Sequence, residues 1–406
     1  MDSLISLLGI ATLFAIAYGL SAHRAQVNWR TVGYALLLQF ILGGIALYLP
    51  PGVAILNAIS TGVSSILDNA QDGIDFVFGP IGAFEVGFIF AFHVLPVLVF
   101  FSALVSVLYY LGVMGWLIRV IGGGLRALLK TSKAESMSAT ANIFVGQTEA
   151  PLVVRPYIAT MTRSELFAIM VGGMSTVAGS VLAGYVLLGV EIQYLLAASF
   201  MAAPGGFLMA KLLLPETEKI ENEDSEIELN FEEHVNVIDA AAAGASSGMT
   251  LALNVGAMVL AFVGLIALLN TLLGWLGGFI GFDELSLQLV LGYLFQPLAF
   301  IVGVPWEETR VAGSLIGQKL VFNEFVAYVE FTSIMTDMST RAQAIVTFAL
   351  CGFANFSSIG IVLGGVGVMA PNRRGDIAEL GLRAVFAGFM ANMMSAAIAG
   401  FFLSLT

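Results

Sequence analysis

Charge is scarce in this sequence. Of its 406 residues, 11% are Asp, Glu, Lys or Arg and 58% are hydrophobic, whereas soluble proteins carry about 25% charged residues. The single cysteine, Cys351, excludes an internal disulfide and argues against a thiolate metal site. The three histidines, His23, His93 and His234, fit no metal-ligand spacing. These deficits place the chain outside the range of soluble globular proteins.

Long apolar runs take the place of the missing charge. A helix needs about 20 apolar residues to cross a bilayer core. Runs of this kind predict eight membrane spans, at 3–22, 31–49, 85–114, 164–189, 192–214, 249–281, 342–370 and 376–405. Three further apolar pieces fit no simple crossing, namely 115–130, 131–160 and 285–340. The sequence therefore predicts an all-α polytopic membrane protein.

The net charge of −12 comes largely from one segment. Nine acidic residues fall within 215–234, which is typical of a solvated linker. The negative charge therefore does not indicate a basic partner, and we expect no nucleic-acid partner.

The distribution of basic residues predicts an orientation, because cytoplasmic loops are enriched in Lys and Arg. With the N-terminus outside, 13 of the 16 basic residues lie on the cytoplasmic side, and Arg310, Lys319 and Arg341 depart from the rule. The connection 50–84 has no Lys or Arg and is placed outside as a loop. Both termini are then extracytoplasmic.

The chain contains two units of similar organisation. In each, a span leads to a short apolar piece, a segment interrupted by polar residues, and a span with a polar cluster. The interrupted segments are NIFVGQTEAP (142–151) and KLVFNEFVAY (319–328), and the clusters are MSTVAGS (174–180) and GFANFSS (352–358). The first unit enters from the cytoplasm and the second from outside. Inverted repeats of this kind predict a transporter with its site at the membrane midplane.

The first interrupted segment is interpreted as a re-entrant hairpin. Gly146 permits a tight turn, and Pro151 suits the first turn of a returning helix. The second helix is expected to begin near Thr148 and Glu149, whose side chains would project from the tip. An intramembrane carboxylate favours a functional site. The alternative for Glu149 is pairing with a basic residue or protonation in the core.

The polar clusters in the following spans have two interpretations. Small residues promote close packing of membrane helices. Alternatively, discontinuous helices expose carbonyls to a coupling ion. Na⁺ prefers oxygen ligands, and four are available from Asn142, the Val145 carbonyl, Thr176 and the Val177 carbonyl.

Three longer motifs carry a family resemblance. VGQTEAPLVVRPY (145–157), NEFVAY (323–328) and CGFANFSSIGI (351–361) resemble the signatures of the concentrative nucleoside transporter family, bacterial Na⁺-coupled type. VPWEE (304–308) and PNRRGDIAELG (371–381) extend the resemblance over essentially the whole chain.

The resemblance implies an architecture. We expect a homotrimer of eight-helix protomers in the lipid of the bacterial inner membrane, with two re-entrant hairpins and an elevator-like shift of a transport domain. The ranges implied are scaffold helices in 1–114, a first transport repeat in 115–214 with hairpin 131–160, an acidic cytoplasmic loop in 215–248, a scaffold helix in 249–281, and a second transport repeat in 282–406 with hairpin 306–338.

The resemblance also implies a substrate site. By position, Gln147, Thr148 and Glu149 would face the nucleobase, with Val181 as an apolar contact. Glu324, Asn355 and Ser358 would bind the ribose hydroxyls, and Phe353 would line the pocket. Buried groups left unpaired penalise analogues that lack those hydroxyls, so deoxynucleosides should bind less well.

Asn142 and Thr176 favour Na⁺ as the coupling ion, because Na⁺-coupled relatives have an Asn and a hydroxyl residue at these places. Thr176 stands where Ser is expected, which retains the oxygen. The leading hypothesis is a Na⁺-driven importer of nucleosides such as uridine. The alternatives are an H⁺-coupled symporter, a passive channel, and an intramembrane enzyme using Glu149 and Glu324, which lacks a credible nucleophile. Preference between purines and pyrimidines is left open.

Overall fold

A computed structural model describes residues 2–85, 87–219, 234–282 and 284–405, and within these ranges it contains helices and no strand. The α-helices are α1 Asp2–Gly19, α2 Trp29–Leu47, α3 Pro50–Phe78, α4 Phe90–His93, α5 Leu95–Tyr110, α6 Val113–Leu129, α7 Lys133–Ala141, α8 Arg155–Ile158, α9 Arg163–Ser175, α10 Gly179–Leu187, α11 Ile192–Leu213, α12 Val237–Ile280, α13 Leu287–Ile301, α14 Thr309–Val321, α15 Glu324–Ile334, α16 Thr340–Leu350, α17 Ser357–Met369 and α18 Arg374–Leu403.

Eight helical stretches of the described chain are long and apolar enough to cross a membrane. Their burial divides them into two groups. In each stretch we compare an apolar window of 18 residues. The buried share of this window is 94% in the stretch formed by α9 and α10, 89% in α11 and in the stretch containing α18, and 17% in α12. Helix α18 packs against α1, α2, α9, α11, α16 and α17. The core therefore forms around α18, and the less buried helices flank it.

The prediction of a loop at 50–84 was wrong, because most of this stretch is the helix α3. Pro50 and Pro51 occupy its first turn, where a missing N–H costs nothing. Its buried residues recur every three, four or seven positions, as Gly52, Leu56, Ser60, Leu67, Ala70 and Ile74. This spacing is that of one face of a helix. Polar residues scattered along the stretch obscured the pattern in the sequence.

Two predicted spans are interrupted. The span 164–189 consists of α9 and α10, separated by Thr176, Val177 and Ala178. The span 342–370 consists of α16 and α17, separated by residues 351–356. Neither half of this second pair reaches crossing length, and α3 takes its place among the eight apolar stretches. The polar clusters of the sequence therefore mark real breaks.

Helix α12 is longer than predicted. It begins at Val237, and Asn236 accepts hydrogen bonds at its N-terminus from the amides of Ile238 and Asp239. Residues 237–248 are therefore helical, so the predicted loop 215–248 ends earlier. The most acidic part of that prediction, 220–233, lies outside the described residues.

Both interrupted segments fold as helix, break and helix. In the first, α7 is followed by a turn at 142–149 and a 3₁₀ helix, Ala150–Val154, that packs back on α7. Pro151 stands in its first turn, as predicted, but the returning arm starts as 3₁₀ rather than α-helix. In the second, α14 and α15 pack together, and Asn323 caps α15 by accepting from Val326 N–H. That these hairpins are re-entrant in a bilayer remains a prediction.

The three basic residues that break the charge rule have distinct environments. Lys319 is fully buried. Arg310 lies over the ring of Tyr293, with Cζ 5.8 Å from the centroid. Arg341 forms an ion pair with Asp2 and donates to the Gly400 carbonyl. Residues near the two ends of the chain therefore lie at the same end of the molecule.

Candidate functional site

The turn at 142–149 folds around the Glu149 side chain. Its carboxylate accepts a hydrogen bond from the Gly146 N–H at 2.5 Å, and its own N–H donates to the Gly146 carbonyl at 3.1 Å. A Cβ at Gly146 would lie 2.8 Å from Glu149 Oε2. A side chain at this position would therefore displace the Glu149 carboxylate from the Gly146 N–H.

Four polar residues predicted to bind substrate form one buried chain of hydrogen bonds. Gln147 Nε2 donates to Ser358 Oγ at 3.3 Å, and Ser358 Oγ approaches Asn355 Oδ1 at 3.2 Å. Asn355 Nδ2 donates to Glu324 Oε2 at 2.9 Å. All four side chains are buried. This hydrogen-bond chain joins the turn at 142–149, the break between α16 and α17, and the start of α15.

Glu324 has a second donor that the sequence reasoning missed. Tyr185 Oη donates to Glu324 Oε1 at 3.2 Å, and its ring packs on Tyr328 at a centroid distance of 4.2 Å. Tyr185 lies on α10 one turn after Val181. Helical spacing from Val181 was therefore the signal that would have found it.

The remaining predicted substrate residues contribute packing. Val181 is buried, and Phe353 is partly exposed. Thr148 lies against α17, where a Cβ added to Gly365 would be 2.6 Å from Thr148 Cγ2. The turn therefore rests directly on Gly365 of α17.

Glu149 lies apart from the buried chain. It is exposed and lines a cavity of about 160 Å³ between α5, α10, α12 and the first turn. Polar lining is supplied by Tyr109, Ser102, Ser106, Ser180, His234 and Ser247. Glu149 and Glu324 therefore occupy different environments, and Glu324 is absent from the described lining of this cavity.

The four predicted ion ligands lie on two segments that touch. The Gly179 N–H donates to the Phe144 carbonyl at 3.0 Å, which joins the turn to the break between α9 and α10. Asn142 is fully buried, and its Oδ1 has no hydrogen-bond partner among the described residues. Thr176 Oγ1 donates to the Gly172 carbonyl at 2.9 Å. Val145 and Val177 are both buried.

A buried Lys–Asn pair, absent from the predicted site, ties the two helix breaks together. Asn392 Nδ2 donates to the Ser175 and Cys351 carbonyls at 2.7 and 2.8 Å. Lys319 Nζ donates to Asn392 Oδ1 and to the Ala349 carbonyl, both at 2.7 Å. Carbonyls freed by a break need such partners in a membrane protein.

The two breaks also contact each other directly. The Phe353 N–H donates to the Thr176 carbonyl at 3.1 Å. The predicted ion segment and the predicted ribose segment are thereby in backbone contact.

Three family models match successive parts of the chain. Residues 8–81 match the Na⁺-dependent nucleoside transporter N-terminus, residues 91–191 the nucleoside recognition Gate domain, and residues 194–400 the Na⁺-dependent nucleoside transporter C-terminus. Together these matches cover most of the chain.

Known proteins agree with this match. The chain is 48% identical to the nucleoside permease NupC of Helicobacter pylori, over 100% of this chain and 99% of the permease. It is 40% identical to sodium/nucleoside cotransporter 1 of Mus musculus, over 98% of this chain and 64% of the cotransporter. The solved structure of CNTnw in an inward-facing substrate-bound state is 55% identical, with a TM-score of 0.96, over 100% of this chain and 99% of that one. The chain belongs to the concentrative nucleoside transporter family, whose members are transporters and not enzymes.

Proposed function

We propose that this protein is a Na⁺-driven symporter that imports nucleosides such as uridine. The observation that carries the proposal is the buried hydrogen-bond chain from Gln147 through Ser358 and Asn355 to Glu324. Buried polar groups in a membrane protein mark substrate or ion pathways. The hydrogen-bond chain joins the two hairpins, and the site of an inverted-repeat transporter is expected between its repeats.

The functional groups in this hydrogen-bond chain suit a nucleoside. A carboxylate accepts hydrogen bonds from two adjacent hydroxyls, so Glu324 is assigned to the ribose diol, with Asn355 and Ser358 beside it. Gln147 has both donor and acceptor groups for a base edge, and its Oε1 is buried without a described partner. Thr148, Val181 and Phe353 are assigned to the same pocket, and Glu149 is assigned to the nucleobase from the neighbouring cavity.

Na⁺ is assigned to the contact between the first turn and the α9–α10 break. Asn142 Oδ1, fully buried and without a partner among the described residues, is an oxygen of the kind that hard cations prefer. Thr176 Oγ1 and the carbonyls of Val145 and Val177 are the other proposed ligands. Coupling then follows from the backbone contact between Thr176 and Phe353.

The transport motion proposed is an elevator-like shift. Residues 115–214 and 282–406, with re-entrant hairpins at 131–160 and 306–338, would move against 1–114 and 249–281. The exposed apolar side chains of α12, including Leu253, Leu260, Trp275 and Phe279, suit contact with lipid or with partners in a homotrimer. The proposed location is the bacterial inner membrane, with both termini extracytoplasmic.

The test is uptake of labelled uridine into liposomes that contain the purified protein. An inward Na⁺ gradient should drive uptake above the external concentration, whereas an equal K⁺ gradient should not. Acceleration by a pH gradient alone would assign the coupling to H⁺. Uptake that never exceeds the external concentration would indicate a passive channel.

A further inference from the structure

A basic cavity lies between α6 and the start of α7. It has a volume of about 630 Å³, and its lining includes Arg119, Arg126, Lys130 and Lys133, together with Gly123 and Met137. None of the described lining residues is acidic. A concave surface whose described lining has four cationic side chains and no carboxylate focuses a positive potential.

Helix α6 presents this charge along one face. Arg119, Gly123, Arg126 and Lys130 follow one another at intervals of four, three and four residues, which is the spacing of a single helical face. A separate face of the helix is buried through Met114, Ile118, Leu125 and Leu129. The basic side chains therefore point away from the core.

Lys130 holds an uncommon backbone conformation. Its φ is 52° and its ψ is 39°, the left-handed region, at the position that ends α6. Glycine or asparagine usually occupies such a position, since other side chains are strained there. A lysine at this place directs a cation to the cavity despite that strain.

Exposed apolar side chains flank the basic face. Trp116 lies one turn before Arg119 and is 60% exposed, and Val120 follows Arg119 directly and is 55% exposed. Tryptophan is enriched where membrane meets water, and basic residues next to it meet lipid headgroups. A soluble anion would use the charge but would leave these apolar side chains without a partner.

We propose that this cavity binds the phosphate-bearing headgroup of an anionic phospholipid, whose acyl chains lie against Trp116 and Val120. Basic pockets beside membrane helices bind such headgroups through their charge. The proposal is independent of nucleoside transport, so it stands or falls separately from the proposed function.

The test is direct binding of fluorescent phosphatidylglycerol to the purified full-length protein in neutral detergent. The triple variant Arg119→Gln, Arg126→Gln, Lys130→Gln should lower the affinity on the order of 100-fold. The control variant Arg30→Gln, Arg310→Gln, Arg374→Gln removes the same number of positive charges elsewhere and should bind as the wild type. Equal loss of binding in both variants, or none in the first, would overturn the proposal.

Two further measurements guard against misfolding and against another ligand. Lys130→Asn removes one charge and suits the left-handed backbone, so it should fold and still lower affinity about 5-fold. An unchanged affinity would contradict the proposal. Phosphatidylcholine and inorganic phosphate should compete poorly with the labelled lipid. Competition by phosphate as strong as that by unlabelled phosphatidylglycerol would assign the cavity to a soluble anion instead.

Discussion

At the scale of single residues, the central group is the Glu324 carboxylate. Tyr185 and Asn355 each donate a hydrogen bond to one of its oxygens. Each carboxylate oxygen has a further lone pair, so the group can still accept from a ligand. Its two neighbours therefore hold it in position without exhausting its capacity.

Glu324→Gln should raise the KM for uridine about 10- to 100-fold, since hydrogen bonds to a charged group contribute about 1.5–3 kcal/mol. The introduced amide also places a donor opposite the Tyr185 or Asn355 donor. Initial uptake rates in liposomes measure the effect. The control is Glu330→Gln on the same helix, whose carboxylate accepts from Gln288 outside the site. An unchanged KM in Glu324→Gln would remove Glu324 from the ribose site.

Asn142→Ala should raise the Na⁺ concentration for half-maximal uridine uptake roughly 10-fold, because an oxygen ligand contributes about as much as a hydrogen bond to a charged group. Ser138→Ala is the matched control, because Ser138 Oγ is also buried and without a described partner one turn earlier on α7. Its Na⁺ dependence should match that of the wild type. If the two variants behave alike, the ion lies elsewhere.

Sequence reasoning reached some of this site and missed the rest for a physical reason. Four motif residues come together in the structure, namely Gln147, Glu324, Asn355 and Ser358. They could be predicted because the family resemblance covers the segments that carry them. Asn392 was missed because one asparagine in an apolar helix has no local signature. Its role depends on contacts with residues 41, 73 and 217 positions away in the chain.

At the scale of elements, the breaks were predictable and some helix ends were not. Clusters of small polar residues in 172–180 and 352–358 disrupt an apolar run, so they were visible in the sequence. Helix α3 was not, because three aspartates and the absence of basic residues in 50–84 suggested an external loop. Whether an amphipathic stretch is helical depends on what packs against its apolar stripe, which the sequence does not state.

Gly365 of α17 lies directly against Thr148 in the turn at 142–149. In Gly365→Ala the new methyl group would lie 2.6 Å from Thr148 Cγ2 and 3.1 Å from Cβ, so the turn must move. Uridine KM should rise several-fold. Gly364→Ala is the control, since a Cβ there meets nothing within 4 Å and the helix propensity changes equally. Equal KM values in the two variants would show that the position of the turn does not matter for binding.

Asn392→Leu should lower the melting temperature of the purified protein by several degrees. It leaves the Ser175 and Cys351 carbonyls and Lys319 each with one partner fewer, and an unsatisfied buried group costs about 1–3 kcal/mol. Ser404→Ala, which removes a hydrogen bond local to the end of α18, is the control and should shift the melting temperature little. A melting temperature of Asn392→Leu equal to that of the wild type would mean that the stability of the protein does not depend on the Lys319–Asn392 pair.

At the scale of the whole molecule, Arg341 brings residues 2 and 400 to one end. At the other end, Arg163 pairs with Glu379 at 2.8 Å, and Arg373 donates to the Met161 carbonyl. The second end contains several of the residues that the charge rule assigns to the cytoplasm. The proposed orientation would place this second end in the cytoplasm and the Arg341 end outside.

Cysteine labelling in intact cells tests this orientation. The native Cys351 is buried, so it contributes little background. Leu4→Cys and Leu405→Cys, both at exposed positions, should react with a membrane-impermeant maleimide. Ala127→Cys, exposed on α6, should react only after the cells are opened. The reverse pattern would invert the topology.

The hydrogen-bond chain from Gln147 to Glu324 has a consequence for the half of the transport cycle in which no cargo is carried. A carrier must return empty, and unpaired polar groups would make that return costly in an apolar medium. Here Ser358, Asn355 and Glu324 are already bonded to one another and to Tyr185. Because these side chains pair with one another, we expect a nucleoside bound at the proposed site to exchange one set of hydrogen bonds for another.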